Sequence, residues 1–519
     1  MLEVGHRLFR FPGGLKLEHH KRESLGEPLL RLPLPEHLYL PLVQHQGPAG
    51  QLLVTPGQTV LKGQPLSRAR SDREVPIHAP SSGRVVGQRR WPVSWPPGSE
   101  ADCIVLETDA EEHWIERHPR PDWAAIEPAE LIEMLRAGGL AGLGGAMFPT
   151  AAKLRGDWEA PGIHTLILNG SECEPWISCD ESLMRGRPEA VIEGGLILAR
   201  ALGADEIVIG IEDLMGGVGR TLERAAAEVG GARQVRVVRV ARIYPEGGER
   251  QLIQVLTGAE VPHDGLPQDL GLACLNVATA ATARDIIVEG KPLIERIVTV
   301  TGPAITRPRN VIAPLGASLS ELIAFAGGLK GPVERLVLGG PMSGLPLTSD
   351  RIPVIKGSNC VLALGPDDTR RSQPEMPCIN CGECVRVCPA SLLPQQLFLA
   401  ARTEDHDVTA ALHLFDCIEC GCCAQVCPSH IPLVDWYRHE KGLLRERGIE
   451  DGRANRARAR FEAREHRLAA REDQRRRKRE AREQRLIQQA AAKSEVQAAL
   501  ERVRARTDGP EDEQGDRTP

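Results

Sequence analysis

The sequence predicts a multidomain chain in which β-rich and α/β modules precede an α-helical, cysteine-rich module and a charged helical tail. Three observations lead there. Between residues 36 and 108, short apolar runs are broken by Pro-Gly and Lys-Gly turns, the habit of short strands. Between 128 and 290, apolar runs of strand length alternate with stretches of helical spacing, as in a largely parallel sheet covered by helices. Between 378 and 428, two cysteine runs of identical spacing are joined by a segment that is mostly helical in spacing. A chain of 519 residues has room for roughly three or four domains.

Composition narrows the class. Hydrophobic residues make up 41%, enough for a sizeable core. No apolar run is long enough to span a membrane, and MLEVGHRLFRFPGG lacks the basic-then-apolar order of a secretory signal. Eight of the 14 cysteines fall in the two runs and the other six are scattered, which suits a reducing cytoplasm better than a disulfide framework. The net charge is −6, yet from Lys441 onward 22 Lys+Arg stand against 16 Asp+Glu, so the residues before it carry −12. Nothing in that acidic body points to nucleic acid, and no nucleic-acid partner is expected.

The first cysteine run is Cys378, Cys381, Cys384 and Cys388, followed by Pro389; the second is Cys417, Cys420, Cys423 and Cys427, followed by Pro428. Both read C-x2-C-x2-C-x3-C-P, the spacing by which bacterial ferredoxins hold [4Fe–4S] clusters. Three closely spaced thiolates wrap one face of a cubane, and the fourth reaches the other cluster. Cluster I is therefore expected on Cys378, Cys381, Cys384 and Cys427, and cluster II on Cys417, Cys420, Cys423 and Cys388. The rivals are unpaired core thiols or a pair of zinc sites, but zinc sites group four ligands as two pairs, often with His, and the duplicated pattern fits that poorly. Cys422 is expected to be a spare thiol beside cluster II. Two clusters form an electron wire, which needs a donor and an acceptor.

Taken in order, residues 1–35 read as an irregular segment with a Pro12-Gly13-Gly14 turn. QLLVTPGQTVLKGQPL and HAPSSGRVVGQ then repeat a strand–turn habit that resembles the barrel-sandwich fold of biotinyl and lipoyl carrier domains. Lys62 is the only Lys between Pro35 and Ala110 and lies in the turn before Gly63 rather than at a hairpin tip, so a structural or docking role is expected rather than a carrier role. IHTLIL (163–168), EIVIGI (206–211) and VRVVRV (235–240) read as strands, with helices over Pro188–Ala204 and Val218–Gly230. The glycine-rich loop GGLAGLGGAMFPTAAKL (138–154) lets backbone N–H groups approach an anionic phosphate. It serves equally well as a plain chain reversal, since Gly is common in turns. Its companions are LNGSECEP (168–175), YPEGGERQL (244–252) and LNVATAAT (275–282), the first of them at the carboxyl end of a strand, where ligands commonly bind.

These four stretches, in this order, resemble the flavin- and NADH-binding subunit of respiratory complex I. That family's glycine loop reads GLRGRGGAGFPTGLK and corresponds to Gly139–Lys153, with Ala141 and Leu143 in place of two arginines, Met147 in place of a glycine and Ala151-Ala152 in place of Gly-Leu. Its Asn-Ala-Asp-Glu segment corresponds to Asn169–Glu172, its Gly-Glu-Glu turn to Gly247–Glu249 and its Asn-Val-Glu-Thr run to Asn276–Thr279. The resemblance implies a cofactor site made by Gly142, Gly144, Gly145, Ala146, Phe148, Lys153, Asn169, Glu172, Glu174, Gly247, Glu249, Asn276 and Thr279, with no separate catalytic side chain.

Residues 295–365 are again β-rich, with RIVTVTG and NVIAPLG as strands and Ser318 with Glu321 as a capping box opening a helix over Leu319–Ala326. This order resembles the small β-grasp (SLBB-like) module of the same complex I protein. Cys360 is expected in the core. From about Gly442 the chain is rich in Ala, Arg, Glu and Gln and reads as a long charged helix without a wide apolar face, either solvated or partly disordered, or a basic helix resting on anionic lipid or a partner.

Over residues 11–440, through FPGGLK, GLGGAMFPT, NGSECEP and both cysteine runs, the order resembles the RnfC family, the C subunits of the ion-translocating Rnf (Rsx) electron-transport complexes. The domains it implies are a barrel-sandwich domain (1–115), a complex-I-type FMN/NADH α/β domain (116–290), a β-grasp module (291–366), a two-[4Fe–4S] ferredoxin domain (367–440) and a charged helical or disordered tail (441–519). The function it implies is that of a translocase and oxidoreductase subunit. Such a subunit is peripheral, on the cytoplasmic side of the bacterial inner membrane, and associates through membrane subunits and an iron–sulfur subunit. It would pass electrons between NADH and ferredoxin-type carriers through FMN and two [4Fe–4S] clusters. A flavin belongs between NADH and the clusters because it takes two electrons as hydride and gives them up singly. The alternatives are a cobalamin reductase of a bacterial microcompartment and an electron-relay scaffold without flavin.

Overall fold

The computed structural model describes residues 4–156, 162–229, 234–368 and 374–507. It divides into two units, Met1–Glu440 and Lys441–Pro519.

At the centre of the first unit is a four-stranded, fully parallel sheet in the order Gln234–Val240, Glu206–Glu212, Thr165–Gly170, Leu272–Asn276. Its strands are continuous apolar runs because both faces are covered. Leu166, Leu168, Ile207 and Ile209 face helices Pro188–Leu202 and Val277–Glu289, whereas Ile167, Val208 and Val240 face helix Glu249–Thr257 and Val4. The two helices on the first face touch backbone to backbone: a Cβ on Gly194 would come within 1.7 Å of the Ala280 carbonyl oxygen. The strand expected over 163–168 runs later, Thr165–Gly170, since Asn169 and Gly170 continue the ladder with Gly210 and Ile211. All four strands end on one edge, and the loops that follow them meet there.

The barrel-sandwich and β-grasp modules are separate in sequence but share one core. A four-stranded antiparallel sheet orders His37–Pro41, Glu100–Thr108, Gly83–Pro92 and Thr59–Val60. Its inward residues Leu38, Leu40, Ile104 and Leu106 pack in one cluster with Val298, Val300, Val311, Leu319 and Leu322 of the β-grasp module. That module's sheet has six strands in the order Leu30–Arg31, Arg309–Pro314, Glu295–Thr301, Cys360–Leu364, Arg335–Leu338 and Leu345–Pro346. Ser318 and Glu321 form the expected capping box, and their helix spans Leu319–Phe325. Lys62 is buried and ion-paired to Glu112, with its ammonium 5.3 Å from the Trp114 ring centre, so its side chain is committed to packing. Cys360 is fully buried.

The N-terminal segment, expected to be irregular, is a strap over three modules. Gly14 N donates to Val387 O (3.0 Å) in the cysteine-rich module, and Leu15 bridges Tyr244 in the α/β module. Lys21 enters the α/β module, and Leu30–Arg31 pairs in parallel with Arg309–Pro314 as an edge strand of the β-grasp sheet.

The cysteine-rich module is helical, with segments Glu383–Arg386, Pro394–Arg402, His406–Ala411 and Cys422–Gln425. Its two runs fold alike. Asn380 and Glu419, Gly382 and Gly421, and Ser391 and His430 occupy matching places in the repeat and all have φ between +52° and +80°. The following helix, Leu433–Thr507, carries charged residues that are exposed almost throughout from Glu446 onward, and pairs such as Asp473 with Arg477 (2.8 Å) lie one turn apart along it. Among the described residues no helix is long and apolar enough to cross a membrane.

Candidate functional site

The loops at the carboxyl edge of the parallel sheet enclose a cavity of about 570 Å³, within the range of cofactor sites. The glycine loop forms one wall. Gly142 N donates to Phe148 O (2.8 Å) and Ala141 bridges Pro149, so residues 143–147 form the tip of a closed loop. Leu143 N donates to the Thr279 hydroxyl (3.0 Å), which pins the tip to the helix after the last strand. The helix after the loop is short, Thr150–Leu154. Its Lys153 turns into the cavity, where Nζ donates to Cys274 O (2.7 Å) and pairs with Glu249.

The opposite wall is a set of locked polar side chains. Asn169 Nδ2 donates to Gly247 O (2.8 Å), and Asn276 Nδ2 donates to the Asp180 carboxylate (2.6 Å) while its own oxygen caps helix Val277–Glu289. Glu172 accepts from Asp180 N (3.0 Å) and Glu181 N (3.4 Å) at the start of helix Cys179–Gly186. Glu174 accepts from Ser343 N (2.7 Å) and Met342 N (3.3 Å) of the β-grasp module. Gly247 is confined: a Cβ there would lie 2.2 Å from Ser171 O.

Twelve of the thirteen residues expected at a cofactor site line this cavity. The exception is Gly145, which has φ +104° and nothing within 4 Å of where its Cβ would stand. It shapes the loop tip in a conformation that side chains avoid.

Several neighbours were not expected. Lys21, brought by the strap, is buried, with its ammonium 3.8 Å from both Glu172 and Glu212 and bonded to the Glu172 carbonyl. Burial alone would lower it, but the two carboxylates outweigh that and hold it above its usual range. Burial pushes Glu172 and Glu212 up to about 7, against the pull of Lys21, and pushes Glu246 up to about 8, against its bond from the Ser171 hydroxyl. No local pattern marks Lys21, which stands 151 positions from Glu172. Tyr244, at the edge of the Glu-Gly-Gly turn, was within reach of the motif.

The Glu246 assignment has a measurable sign. A carboxyl that keeps its proton to about pH 8 when folded, but only to 4.5 when unfolded, makes the folded chain the stronger proton binder in between. Stability from this group therefore falls as pH rises through that window. Denaturant titrations of the parent and Glu246→Gln should show the parent losing ground by up to about 1.4 kcal/mol per pH unit between about 4.5 and 8, and parallel curves would place Glu246 in a solvated setting.

Two smaller cavities lie in the cysteine-rich module. One is lined by Cys378, Cys381, Cys384 and Cys427 among Ile379, Phe398, Ile431 and Leu433; the other by Cys388, Cys417, Cys420 and Cys423 among Leu392, Leu397, Val434 and Tyr437. Each gathers three thiols of one run and one of the other inside an apolar shell, a donor set that fits a cubane. Cys422 is buried and lines neither. Ile418 and Cys420 line both the second of these and the large cavity, and the Tyr244 hydroxyl donates to Cys420 O (2.7 Å). Cys381, on the first, is exposed.

Four family models match the chain: an RnfC barrel sandwich hybrid domain over residues 9–111, a Nuo51 FMN-binding domain over 135–285, an SLBB domain over 297–346 and a 4Fe-4S dicluster domain over 377–431. The C subunit of the ion-translocating oxidoreductase complex of Pseudomonas aeruginosa is 47% identical over 464 residues, 89% of this chain and 59% of its own length. The protein of the same name from Yersinia pestis bv. Antiqua is 41% identical over 505 residues, 97% of this chain and 80% of its own length. The chain thus spans 59% to 62% of the length of the relatives from Pseudomonas aeruginosa, Erwinia tasmaniensis and Edwardsiella ictaluri. Among solved structures, an NAD+-reducing [NiFe]-hydrogenase in the H2-reduced state is matched at 21% identity and a TM-score of 0.45, over 59% of this chain and 61% of that one.

Proposed function

The chain belongs to the RnfC family, the C subunits of ion-translocating oxidoreductase complexes, and from that premise we propose that it passes electrons between NADH and ferredoxin-type iron–sulfur carriers. FMN would be held in the large cavity and two [4Fe–4S] clusters in the smaller ones. The observation that carries this reading is the wall of Ile418 and Cys420, shared by the large cavity and the second cysteine cavity. On this reading cluster II would be the neighbour of the flavin and cluster I, beside exposed Cys381, would be the exit.

Bound FMN would supply the exchange of a two-electron hydride for single electrons. The chain's own residues do the rest. The closed tip at 143–147 brings backbone N–H groups to the cavity, and Lys153 supplies a cation for a phosphate. Asn169 and Asn276, each fixed by a partner, offer rigid polar edges. Glu172, with a pKa near 7 set by burial and Lys21, holds or releases a proton at its carboxylate close to neutral pH. Tyr244 ties the large cavity to the backbone of a cluster II ligand. The clusters would sit on the four thiols that line each small cavity. By family, the protein would work on the cytoplasmic side of the inner membrane, held there by membrane subunits and an iron–sulfur subunit.

The test is cofactor content and NADH reduction under anaerobic conditions. About eight irons per chain are expected from two cubanes, with one FMN, and both chromophores should bleach on adding NADH. Gly145→Val forces a β-branched residue into a positive φ at the loop tip and should abolish flavin binding while leaving iron unchanged. Four irons or fewer, or normal flavin in that variant, would overturn the corresponding assignment.

Deleting residues 445–519 should leave cofactors and NADH oxidation intact. Retention on inner-membrane vesicles should fall modestly, and further at raised salt, because the run Arg475–Arg479 offers charge to anionic lipid without an apolar face. Loss of flavin or iron on that deletion would make the tail part of the cofactor-bearing fold.

A further inference from the structure

Two imidazoles from different modules meet at the protein surface, outside every cavity described above. His263 lies in the turn Pro262–Gly265 after helix Glu249–Thr257 of the α/β module. His413 lies in the cysteine-rich module, just before the turn Leu414–Asp416. His263 Nε2 and His413 Nδ1 are 3.3 Å apart, with the rings edge to face. Zinc–imidazole bonds of about 2.0–2.1 Å in a tetrahedral shell put neighbouring nitrogens roughly 3.3–3.4 Å apart, so the two atoms already stand at that edge length.

The other nitrogen of His263 fits the same reading. Nδ1 is 2.7 Å from the Asp416 carboxylate and can only donate to it, so the lone pair of the neutral ring is on Nε2, facing His413. A ligating histidine whose far N–H donates to a carboxylate is the usual arrangement behind a metal. His263, His413 and Asp416 present ligand atoms that all lie within 4.8 Å of one another.

The geometry points to a binding site for one divalent transition-metal ion, zinc first among them, with His263 Nε2 and His413 Nδ1 as ligands and Asp416 orienting His263. Two protein ligands leave positions for water or a partner's side chains. An ion held there joins the turn 262–265 to residues 413–416. Arg250 is at the same seam: it donates to Gly265 O (3.1 Å), lies 3.9 Å from Asp416 and lines the large cavity. Metal at this site would therefore fasten the cysteine-rich module to the rim of that cavity. The inference is independent of what the cavity binds.

The experiment is equilibrium dialysis of the cluster-loaded full chain, washed with chelator under anaerobic conditions, against zinc ion alone, with zinc and iron both counted. One zinc per chain should bind at micromolar concentration with iron unchanged. His413→Ala should weaken it more than tenfold, and Asp416→Asn by roughly 10–100-fold, the usual effect of losing such a carboxylate. Saturable zinc uptake that His413→Ala leaves unchanged, uptake matched by loss of iron, or no saturable uptake below millimolar zinc would each overturn the assignment. In those cases the 3.3 Å contact is a hydrogen bond between two rings.

Discussion

Replacing Cys388 by Ser should destroy cluster II and spare cluster I, although Cys388 belongs to the first cysteine run. It lines one cavity with Cys417, Cys420 and Cys423, while Cys378, Cys381 and Cys384 line the other with Cys427. Iron should fall from about eight to about four per chain, since each cubane depends on four thiolates. The remaining paramagnetic signal should be that of the exposed cluster. NADH should still bleach the flavin, but the remaining cluster should no longer follow, because the centre behind the Ile418–Cys420 wall is gone. A variant that keeps the second-run signal and loses the first would refute the crossed ligand sets. Cys422, two residues from Cys420, lines neither cavity, so it is not positioned to rescue the variant.

Lys21→Met should be the most destabilising single change in the α/β module. The Lys21 ammonium is the cation shared by Glu172 and Glu212, all three side chains being buried. Removing one partner of a buried ion pair typically costs about 3–5 kcal/mol, because the partner's charge is left without compensation. The loss should depend on pH in a defined direction. Glu172 and Glu212 titrate near 7 with Lys21 present, and without it both carboxyls hold their protons to higher pH. At pH 5 they are neutral in either protein and little is lost; at pH 8 the parent gains from the pairing and the variant does not. Guanidinium unfolding at the two pH values would show this, and equal losses at both would mean that Lys21 acts by packing alone.

The fold was legible wherever the chain repeats a local rule. The alternation of apolar runs and helical spacing placed three of the four strands of the parallel sheet to within two residues and missed the fourth, Leu272–Asn276. Ser318 and Glu321 announced their capping box, and the cysteine spacing announced both cavities. Much of the cavity wall was legible for a different reason, since most of its residues lie in four short stretches that each match a known pattern. What could not be read were partnerships across long separations. Lys21 carries no local signature, and its role exists only because the strap brings it to Glu172. Glu212 and Glu246 look like ordinary strand-end and turn acids until their burial is known. The joint core of the barrel and β-grasp modules was hidden too, because Leu40 and Val300 are apolar residues in strands that look self-sufficient in sequence.

The strap also sets an order of events during synthesis. Gly14 finds its partner at Val387, Lys21 at Glu172 and Leu30 at Val311, so the first thirty residues leave the ribosome before anything they bind exists. At about 5–20 residues per second, the wait between Gly14 and Val387 is roughly 20–75 s. During that time the parallel sheet and the barrel are free to form, and closing loops of this length adds only slowly to the entropic cost. Gly14 is therefore the last of these to find its partner, and its fastening to the cysteine-rich module follows synthesis of the first cysteine run. A nascent chain stalled before residue 387 should have a folded sheet and a protease-sensitive stretch at Pro12–Gly14, and release of the full chain should protect that stretch.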